Sequence, residues 1–398
     1  MTGAHTRIVV VCPTLLNHDA VGAATAALHR DLSLHPNWTV TLLSRRTERS
    51  DTPVTIVHSL GDLLMNRDFL EADLIIYVFA IYNELFDAML IGNGKARQVV
   101  RFHNVTPAEF VDTRQLEIIK KSLDQLRNFD AVDEIWADSK ENMDELTRRR
   151  VAKGKAVQVP VSVEPLVEAS ILNKPGHSTI NIVYVGRFVP SKGIIDLIEA
   201  ISKASEHITS AVKVRMLGNV ANAPKDYLER IRDKIEEHRL GSVIDLHGPV
   251  SGYELSSAYR CAHVFMTASH HEGFCVPVIE ALAAGCVPVT YRNSNLRNIS
   301  GGLGRLSAED SPESLATALV DVVQAMTSPT PIILPLDRGE TPATEFDALS
   351  SSHRRTFAPD VCAERMTRRV VELLSMPRRE MVGLKQAEQS SSRYDYRR

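Results

Sequence analysis

The stretch that decides the fold of this chain is His271-Glu272-Gly273-Phe274-Cys275-Val276-Pro277-Val278-Ile279-Glu280, directly after the apolar run 262–268. The run predicts a buried parallel strand, the glycine a tight turn, and Pro277 an early position of a helix. Glu272 is therefore expected at the strand's carboxyl end and Glu280 in the first turns of the next helix. Open α/β sheets bind ligands in that crevice, and the free N–H groups of a helix start suit a phosphate. Two acids beside an anion site suit the hydroxyls of a sugar and a ribose, which favours a nucleotide-sugar.

Outside this stretch, apolar strand-like runs alternate with amphipathic helical patterns, and the pattern restarts in the second half. Strands without polar alternation, separated by helices, predict a parallel sheet covered on both faces. We predict an α/β fold of two Rossmann-like, doubly wound parallel-sheet domains, residues 1–160 and 178–356, that face each other across a cleft. Residues 161–178 are the expected linker, and 327–352, rich in Pro, Thr and Ser, an expected surface excursion. The predicted strands are 7–12, 39–43, 54–57, 73–79, 98–102, 134–137, 156–159, 180–185, 212–217, 243–246, 263–268 and 287–290.

Composition excludes several classes of protein. The chain has 398 residues, 44% of them apolar and 24% charged, which are values of an ordinary globular protein of two domains. A net charge of −3 argues against nucleic acid as a partner. Five cysteines without metal-ligand spacing indicate reduced thiols. With no signal-peptide layout and no apolar stretch near the roughly 20 residues that span a bilayer, we expect a cytoplasmic protein.

A basic cluster lies in residues 148–155, on the N-terminal half. It is either a solvated helix end or a patch for an anionic membrane, so peripheral contact at the inner membrane face stays open.

A second motif, Gly186-Arg187-Phe188-Val189-Pro190-Ser191-Lys192-Gly193, follows the first strand of the second half. Ser191 is expected to cap the helix that follows. Arg187 and Lys192 flank the turn, and an Arg fork with a Lys point charge is a common pairing on a diphosphate. By themselves the two cations favour a solvated loop, but the paired acids lie in the same predicted sheet and favour a diphosphate site.

At this point a family resemblance is specific. Residues 182–193 resemble the strand, loop and helix that open the donor domain of retaining glycosyltransferases of the GT-B fold, and 272–280 resemble their Glu-x7-Glu motif. Residues 281–289 and 247–251 also fit, as do 103–110 and 18–22 for the acceptor domain. The match is to glycosyltransferase family four and covers nearly the whole chain. It implies a hexosyltransferase in which a final helix, about 359–375, packs back across the first domain.

The resemblance also implies roles for individual residues. Arg187 and Lys192 would hold the diphosphate, Glu280 the ribose hydroxyls, Glu272 the donor sugar, and His103 the sugar near the reacting centre. The implied catalytic residues are His103, Arg187, Lys192 and Glu272. The implied donor-binding residues are Gly22, Gly186, Arg187, Lys192, Gly248, Pro249, Val250, Glu272, Gly273, Phe274, Cys275, Val276 and Glu280. Family members commonly have glycine where this chain has Cys275, and their usual glycine pair in the first loop is reduced here to Gly22.

The expected reaction moves a hexose from a nucleoside-diphosphate sugar to the hydroxyl of a glycan, a lipid-linked saccharide or a small molecule, in polysaccharide, lipopolysaccharide or glycolipid synthesis. Negative charge builds on the departing diphosphate, and fixed cations stabilise it. The chain has no Asp-x-Asp, so we expect no metal and no other cofactor. Retention is implied by the resemblance, and we favour front-face attack. An epimerase or phosphorylase on the same fold, or a non-catalytic nucleotide-sugar-binding subunit, is the alternative. Donor base and sugar, acceptor and oligomeric state are not readable.

Overall fold

The computed structural model describes residues 5–17, 19–111, 113–151, 153–175, 178–220, 223–328 and 331–377. His18, which belongs to the first-loop resemblance, lies outside these residues. Two parallel sheets dominate, each with helices on both faces, which confirms the predicted α/β class and its two sheets. The strands are β1 Thr6–Val11, β2 Thr14–Leu15, β3 Trp38–Ser44, β4 Arg46–Thr47, β5 Thr55–Ile56, β6 Leu74–Phe79, β7 Arg97–Phe102, β8 Glu134–Ala137, β9 Ala156–Gln158, β10 Thr179–Val185, β11 Ala211–Leu217, β12 Ile244–His247, β13 Val264–Thr267, β14 Val287–Thr290, β15 Arg305–Leu306, β16 Ile333–Leu336 and β17 Gly339–Pro342.

The helices fill the connections between strands, as right-handed parallel crossovers require. They are α1 Ala20–Ser33, α2 Leu60–Met65, α3 Arg67–Glu71, α4 Leu116–Gln125, α5 Lys140–Arg148, α6 Ile194–Ser205, α7 Lys225–Glu237, α8 Gly252–Cys261, α9 Val276–Ala283, α10 Leu296–Ile299, α11 Pro312–Thr327, α12 Ala343–Arg354 and α13 Pro359–Ser375.

The order of the strands in each sheet determines where ligand crevices lie. The first sheet runs β5-β3-β1-β6-β7-β8-β9 and the second β12-β11-β10-β13-β14-β15. In the second sheet the strands are added first on one side of β10 and then, from β13, on the other, so the loops after these two parallel strands diverge at a topological switch point. Both faces of each sheet are covered, and the central strand β6 is buried at every position. This explains its continuous apolar run.

The last helix, α13, packs on the first domain. Met366, Val370 and Leu373 share an apolar core with residues of β1, and Arg369 forms an ion pair with the buried Glu134 of β8. The chain thus returns to the first domain after the second sheet, so it crosses between the domains twice. At these two crossings the backbone N–H of Val163 donates to the carbonyl of Phe357 at 2.9 Å.

Residues 327–352 were expected to be a surface excursion, and this prediction is wrong for most of the segment. Strands β16 and β17 form an antiparallel hairpin and α12 follows it. Leu334 and Phe346 are fully buried in the core of the second domain. The Pro and Thr residues hid a short hairpin, because each of its strands has only four residues and proline is rare inside strands.

Candidate functional site

The two motifs of the second domain meet at the carboxyl ends of β10 and β13. These strands are paired, Ile182 with Val264 and Val183 with Phe265, so the loops that leave them start side by side. Lys192 Nζ donates to Glu272 Oε1 at 2.6 Å. Glu272 is 8% exposed, so its carboxylate is held in a largely desolvated place beside the Lys192 ammonium. A cation and an acid that are far apart in sequence thus share one crevice.

Gly193 is what lets these loops approach. It lies in the left-handed region at φ 60°, and a Cβ on it would come within 1.9 Å of the carbonyl oxygen of Ala268. The expectation that Ser191 caps α6 is wrong, because Gly193 is the N-cap and Ser191 lies in a preceding 3-10 turn, Pro190–Lys192. The carbonyl of Ser191 instead accepts the N–H of His270 at 2.9 Å, which ties the two loops together.

Neither helix that starts at this crevice has a side-chain cap. The N-caps of α6 and α9 are Gly193 and Cys275, and neither makes a capping hydrogen bond with its side chain. The first N–H groups of such helices carry partial positive charge and lack intrahelical partners. Two helix starts with this property favour an anionic ligand between them.

Cys275 adopts the conformation that glycine adopts most readily. It lies at φ 74°, ψ 67° and is 7% exposed, at the turn from the Glu272 loop into α9. Burial raises the pKa of the Cys275 thiol well above its usual value, so the group is a neutral thiol at pH 7. The family that this chain resembles commonly has glycine at this position because the turn needs a positive φ.

Glu280 lies on the α9 side of the crevice. Its Oε2 accepts a hydrogen bond from the hydroxyl of Tyr259 at 2.9 Å, and burial raises the pKa of this carboxyl. Phe274 packs edge-on against Phe357 with ring centroids 5.5 Å apart, so the loop between the two acids touches the crossing between domains. Val276 is the first residue of α9 and half-buried.

Arg187 follows β10 but stays exposed, and within the described residues its guanidinium has no ion-pair partner. Its carbonyl accepts the hydroxyl of Tyr184 at 3.0 Å, which anchors the backbone and leaves the side chain able to move. Gly186 lies beside the next strand: a Cβ on Gly218 would stand 2.0 Å from the Gly186 carbonyl oxygen. The structure therefore places Arg187 at the same strand end as Lys192 without joining it to the pair.

Gly248, Pro249 and Val250 lie after β12, two strands away from β10. They connect to α8, whose start is held by a capping box between Ser251 and Glu254. Pro249 is exposed and the other two are half-buried. These residues stand at the carboxyl end of a strand in the same sheet, two strands along from β10.

Gly22 lies in the first turn of α1, and its N–H is already taken by Asp19 Oδ2 at 2.9 Å. A Cβ on Gly22 would approach the carbonyl oxygen of Leu16 to 2.9 Å, so the glycine gives room to a neighbouring loop of its own domain.

His103 follows β7 and contacts the second domain. Its carbonyl oxygen and the Cβ of Asn104 each lie 3.0 Å from where a Cβ on Gly273 would be. Ser139 Oγ donates to the carbonyl of Gly273 at 2.6 Å, and it also caps α5. The structure thus brings His103 and the Glu272 loop together across the cleft.

Sequence reasoning missed Asp138 and Arg101. Asp138 directly precedes Ser139, the N-cap of α5, and its Oδ2 lies 2.5 Å from His103 Nδ1. Arg101 forms an ion pair with the other oxygen of Asp138 at 2.8 Å. The available signal was that Arg101 and His103 are two apart at a strand end and must share a face.

Comparison with known proteins gives the family. Residues 171–330 match the profile described as "Glycosyl transferases group 1". The second domain is similar to this family over the matched residues. The matched range contains the Lys192–Glu272 pair, Glu280 and all of β10 to β15, so the family prediction made from sequence is confirmed.

Individual relatives are distant. The chain is 23% identical over 222 residues to a phosphatidylinositol N-acetylglucosaminyltransferase subunit from Arabidopsis thaliana, over 54% of this chain and 47% of the relative. It is 29% identical over 116 residues to a GDP-mannose:cellobiosyl-diphosphopolyprenol alpha-mannosyltransferase of Xanthomonas campestris, over 29% of this chain and 28% of that one. The chain therefore spans less than half the length of these curated relatives.

Solved structures cover almost the whole fold. Sucrose-phosphate synthase of Thermosynechococcus elongatus matches with a TM-score of 0.67 at 16% identity, over 93% of this chain and 99% of that one. Anabaena HepE in complex with UDP and glucose matches with a TM-score of 0.70 at 13% identity, over 92% and 100%. At these identities the likeness concerns the fold, and it confirms the predicted GT-B architecture.

Two kinds of feature are absent from the described residues. They contain no group of three or more His, Cys, Asp or Glu side chains arranged to hold a metal ion. Among the same residues, no helix combines the length and apolar character needed to cross a bilayer.

Proposed function

We propose that this group 1 protein is a retaining hexosyltransferase that moves a sugar from a nucleoside diphosphate to an acceptor hydroxyl. The observation that carries the proposal is the Lys192–Glu272 pair, 2.6 Å apart at a switch point flanked by two helix starts without side-chain caps. Such a site offers positive charge to a diphosphate and a carboxylate to sugar hydroxyls.

Different groups of the site stabilise the charges that develop during the reaction. The acceptor oxygen bonds to the anomeric carbon while the bond from that carbon to the diphosphate breaks, and the acceptor proton passes to the departing phosphate oxygen on the same face. Lys192 and the starts of α6 and α9 stabilise the growing negative charge. Lysine carries three N–H donors, so Lys192 keeps one on Glu272 while it gives another to phosphate. Arg187, exposed and without an ion-pair partner among the described residues, swings onto the diphosphate when it arrives.

Glu280 binds the ribose and Glu272 the sugar. The raised pKa of Glu280 has burial as its cause, and two ribose hydroxyls that donate to its oxygens replace the water lost there. No metal and no other cofactor enters this proposal, since Lys192 and Arg187 supply the positive charge that a divalent cation would otherwise bring.

The acceptor in this proposal is a glycan, a lipid-linked saccharide or a small molecule, met on the cytoplasmic side. The basic cluster 148–155 gives limited support to membrane contact. Arg148 is paired with Glu141 and Glu145, and Lys155 donates to the carbonyls of Asp130 and Val132. A peripheral position would have to use the remaining charges.

The first test is thermal stabilisation by UDP, GDP, ADP and CDP and their sugar nucleotides, with EDTA present. A ligand at 100 times its dissociation constant stabilises by about 2.7 kcal/mol. Stabilisation by one base, undiminished by EDTA, is the expected result; no stabilisation by any nucleotide contradicts the donor site.

A matched pair of lysine variants locates the diphosphate. Lys192→Ala should abolish the nucleotide shift and lower turnover by about 100- to 1,000-fold. Lys203→Ala, in the helix α6 that follows, removes an exposed lysine paired with Glu313 at 3.0 Å and should leave both unchanged. Equal effects of the two variants would contradict the assignment.

Glu272→Ala and product analysis separate the alternatives. Loss of turnover with nearly intact nucleotide affinity supports an enzyme whose Glu272 acts on the sugar, and equal loss of both indicates a binding role. The anomeric configuration of the glycoside, read by NMR, tests retention. Conversion of donor without acceptor would indicate an epimerase, and release of a sugar phosphate a phosphorylase.

A further inference from the structure

One short segment of the second domain holds the backbone of Glu272 from both sides. It comprises residues 293–297, which follow β14 and enter α10, and we call it the bridging segment. The N–H of Glu272 donates to Ser294 Oγ at 2.9 Å, and the carbonyl of Glu272 accepts the N–H of Asn295 at 3.3 Å. Because consecutive residues fix both backbone groups of Glu272, the direction of its side chain depends on this segment.

The bridging segment also holds the loop on either side of that glutamate. Asn293 Nδ2 donates to the carbonyl of Ser269 at 3.0 Å, and Asn295 Nδ2 donates to the carbonyl of Phe274 at 2.8 Å. Asn295 is 2% exposed, and Ser294 lies at φ 42°, in the left-handed region that serine rarely adopts. A strained residue and a buried amide whose hydrogen bonds converge on one loop indicate a segment shaped to hold that loop.

Arg297, at the end of the bridging segment, reaches the first domain. Its Nη2 donates to Glu141 Oε2 at 2.8 Å. Glu141 is buried in the first turn of α5, where the positive end of the helix dipole favours a carboxylate. Ser139, the N-cap of α5, donates through Oγ to the carbonyl of Gly273 at 2.6 Å. The start of α5 therefore contacts both the Glu272 loop and the segment that holds this loop.

The carboxylate of Glu141 is shared between the two domains. Its Oε1 accepts a hydrogen bond from Arg148 of the same helix at 2.6 Å, and its Oε2 accepts the one from Arg297. The side chain of Glu141 is 5% exposed and that of Arg297 is 48% exposed. If the domains separate, Arg297 is hydrated and Glu141 keeps Arg148, so no buried charge is left unpaired. Such an ion pair can form and break without unfolding either domain.

We propose that Ser294, Asn295 and Arg297 are positioning residues that direct the carboxylate of Glu272 toward the donor sugar, and that the Arg297–Glu141 ion pair makes this placement depend on contact between the domains. The inference rests on the proposed transferase function and adds positioning residues outside the donor site. Glu272 is directed at the sugar only while the start of α5 touches the second domain. Induced fit of this kind protects a reactive donor from water until the acceptor side is in place.

The first test needs no substrate. Hydrogen exchange of the full chain, read by mass spectrometry of peptides, measures how often the backbone around Glu272 opens. Glu141→Gln keeps the shape of the side chain and removes its charge, and Arg297→Met removes the guanidinium. Each variant should speed the exchange of peptides that cover 270–275 and 293–299 by about 10-fold, because a hydrogen bond between charged groups is lost. Unchanged exchange in both variants overturns the proposal.

The matched control is Arg305→Met. Arg305 lies on β15 of the second domain and pairs with Asp321 of α11 at 2.5 Å, so this variant loses an arginine ion pair within one domain. It should leave the exchange of both peptides at the wild-type rate. Arg297→Lys keeps the positive charge and should recover part of the protection that Arg297→Met loses. Equal acceleration by Arg305→Met would show a general loosening of the second domain and overturn the proposal.

The double variant Glu141→Gln/Arg297→Met tests whether the two residues act through each other. Once one partner is removed the ion pair is already broken, so the double variant should exchange no faster than the faster single variant. Effects that multiply in the double variant would show two independent contributions and overturn the coupling between the domains.

The second test reads the consequence for the sugar. UDP-glucose and GDP-mannose serve as donors with water as the acceptor, and kcat and KM are measured by release of nucleoside diphosphate. Arg297→Met should lower kcat by about 10-fold or more with little change in KM, because the diphosphate site at Lys192 stays in place. Arg297→Lys should recover part of kcat, and Arg305→Met should match the wild type. A wild-type kcat in Arg297→Met overturns the proposal.

Thermal stabilisation by nucleoside diphosphates separates failure of this proposal from failure of the transferase. Arg297→Met should keep the wild-type stabilisation, and its loss would contradict a role confined to the carboxylate of Glu272. If no nucleotide stabilises the wild-type chain, the transferase falls and with it the role of Glu272 at the sugar. Hydrogen exchange then still decides whether the bridging segment couples the Glu272 loop to the first domain.

Discussion

Replacing Cys275 by glycine should lower the free energy of unfolding much less than the same change does at an ordinary buried position. Cys275 lies at φ 74°, and the left-handed conformation costs a residue with a Cβ about 1–2 kcal/mol that glycine avoids. Glycine in place of alanine also loses a buried methyl, about 0.8 kcal/mol, and about 0.4–1 kcal/mol to the freedom of the unfolded chain. At residue 275 these opposing contributions leave alanine and glycine within about 1 kcal/mol of each other.

The control is Cys12, which is 1% exposed and does not have a positive φ. The Cys12→Gly variant should be less stable than Cys12→Ala by about 1.2–1.8 kcal/mol, since glycine relieves no backbone strain there. Both variants at a site lose the sulfur, so the difference between them does not contain its contribution to stability. Urea unfolding of the four variants measures the two differences, with transitions followed by two probes because a two-domain chain need not unfold in one step. Equal differences at the two sites would refute the assignment of strain to Cys275.

Three further changes follow from the same geometry. Gly193→Ala would place a Cβ 1.9 Å from the Ala268 carbonyl oxygen, so it should lower stability by about 3 kcal/mol or more and abolish nucleotide-dependent stabilisation, as read in one thermal scan. Arg369→Ala leaves the buried Glu134 without its cation. It should cost about 3 kcal/mol in urea, and Arg369→Lys should recover part of that. Burial raises the pKa of Glu280 in the fold, so stability falls as the pH rises from the unfolded value of about 4.3 through the folded pKa. Glu280→Gln should therefore gain stability relative to wild type as the pH rises from 4 to 7, and a constant difference would contradict it.

Local sequence patterns were sufficient for the elements that form the site. Apolar runs without alternation located the central strands β6, β7, β10 and β13 within about two residues. They succeeded because these strands are buried on both faces, so burial alone determines their composition. The hairpin of β16 and β17 was missed, because each of its strands has only four residues and contains a proline.

The residue types at these strand ends were also readable, because the proposed donor has a diphosphate that requires cations and sugar hydroxyls that require acceptors. Glu272, Glu280 and Lys192 could be named because each follows a predicted strand or begins a predicted helix. Packing of the core does not require carboxylates or an amine at those positions, because burying a charged group is unfavourable.

Tertiary structure decided which of these groups meet. Strand order is set by the packing of helices on sheet faces and by crossover handedness, and neither is encoded within one motif. Only the pairing of β10 with β13 puts Lys192 on Glu272, and only the pairing of β7 with β8 gives His103 its partner Asp138. The positive φ of Cys275 is likewise a demand of the turn between β13 and α9, which overrides the preference of the residue that occupies it. The chain by itself determined which chemical groups stand at the strand ends; the contacts between strands distant in sequence determined how those groups work together.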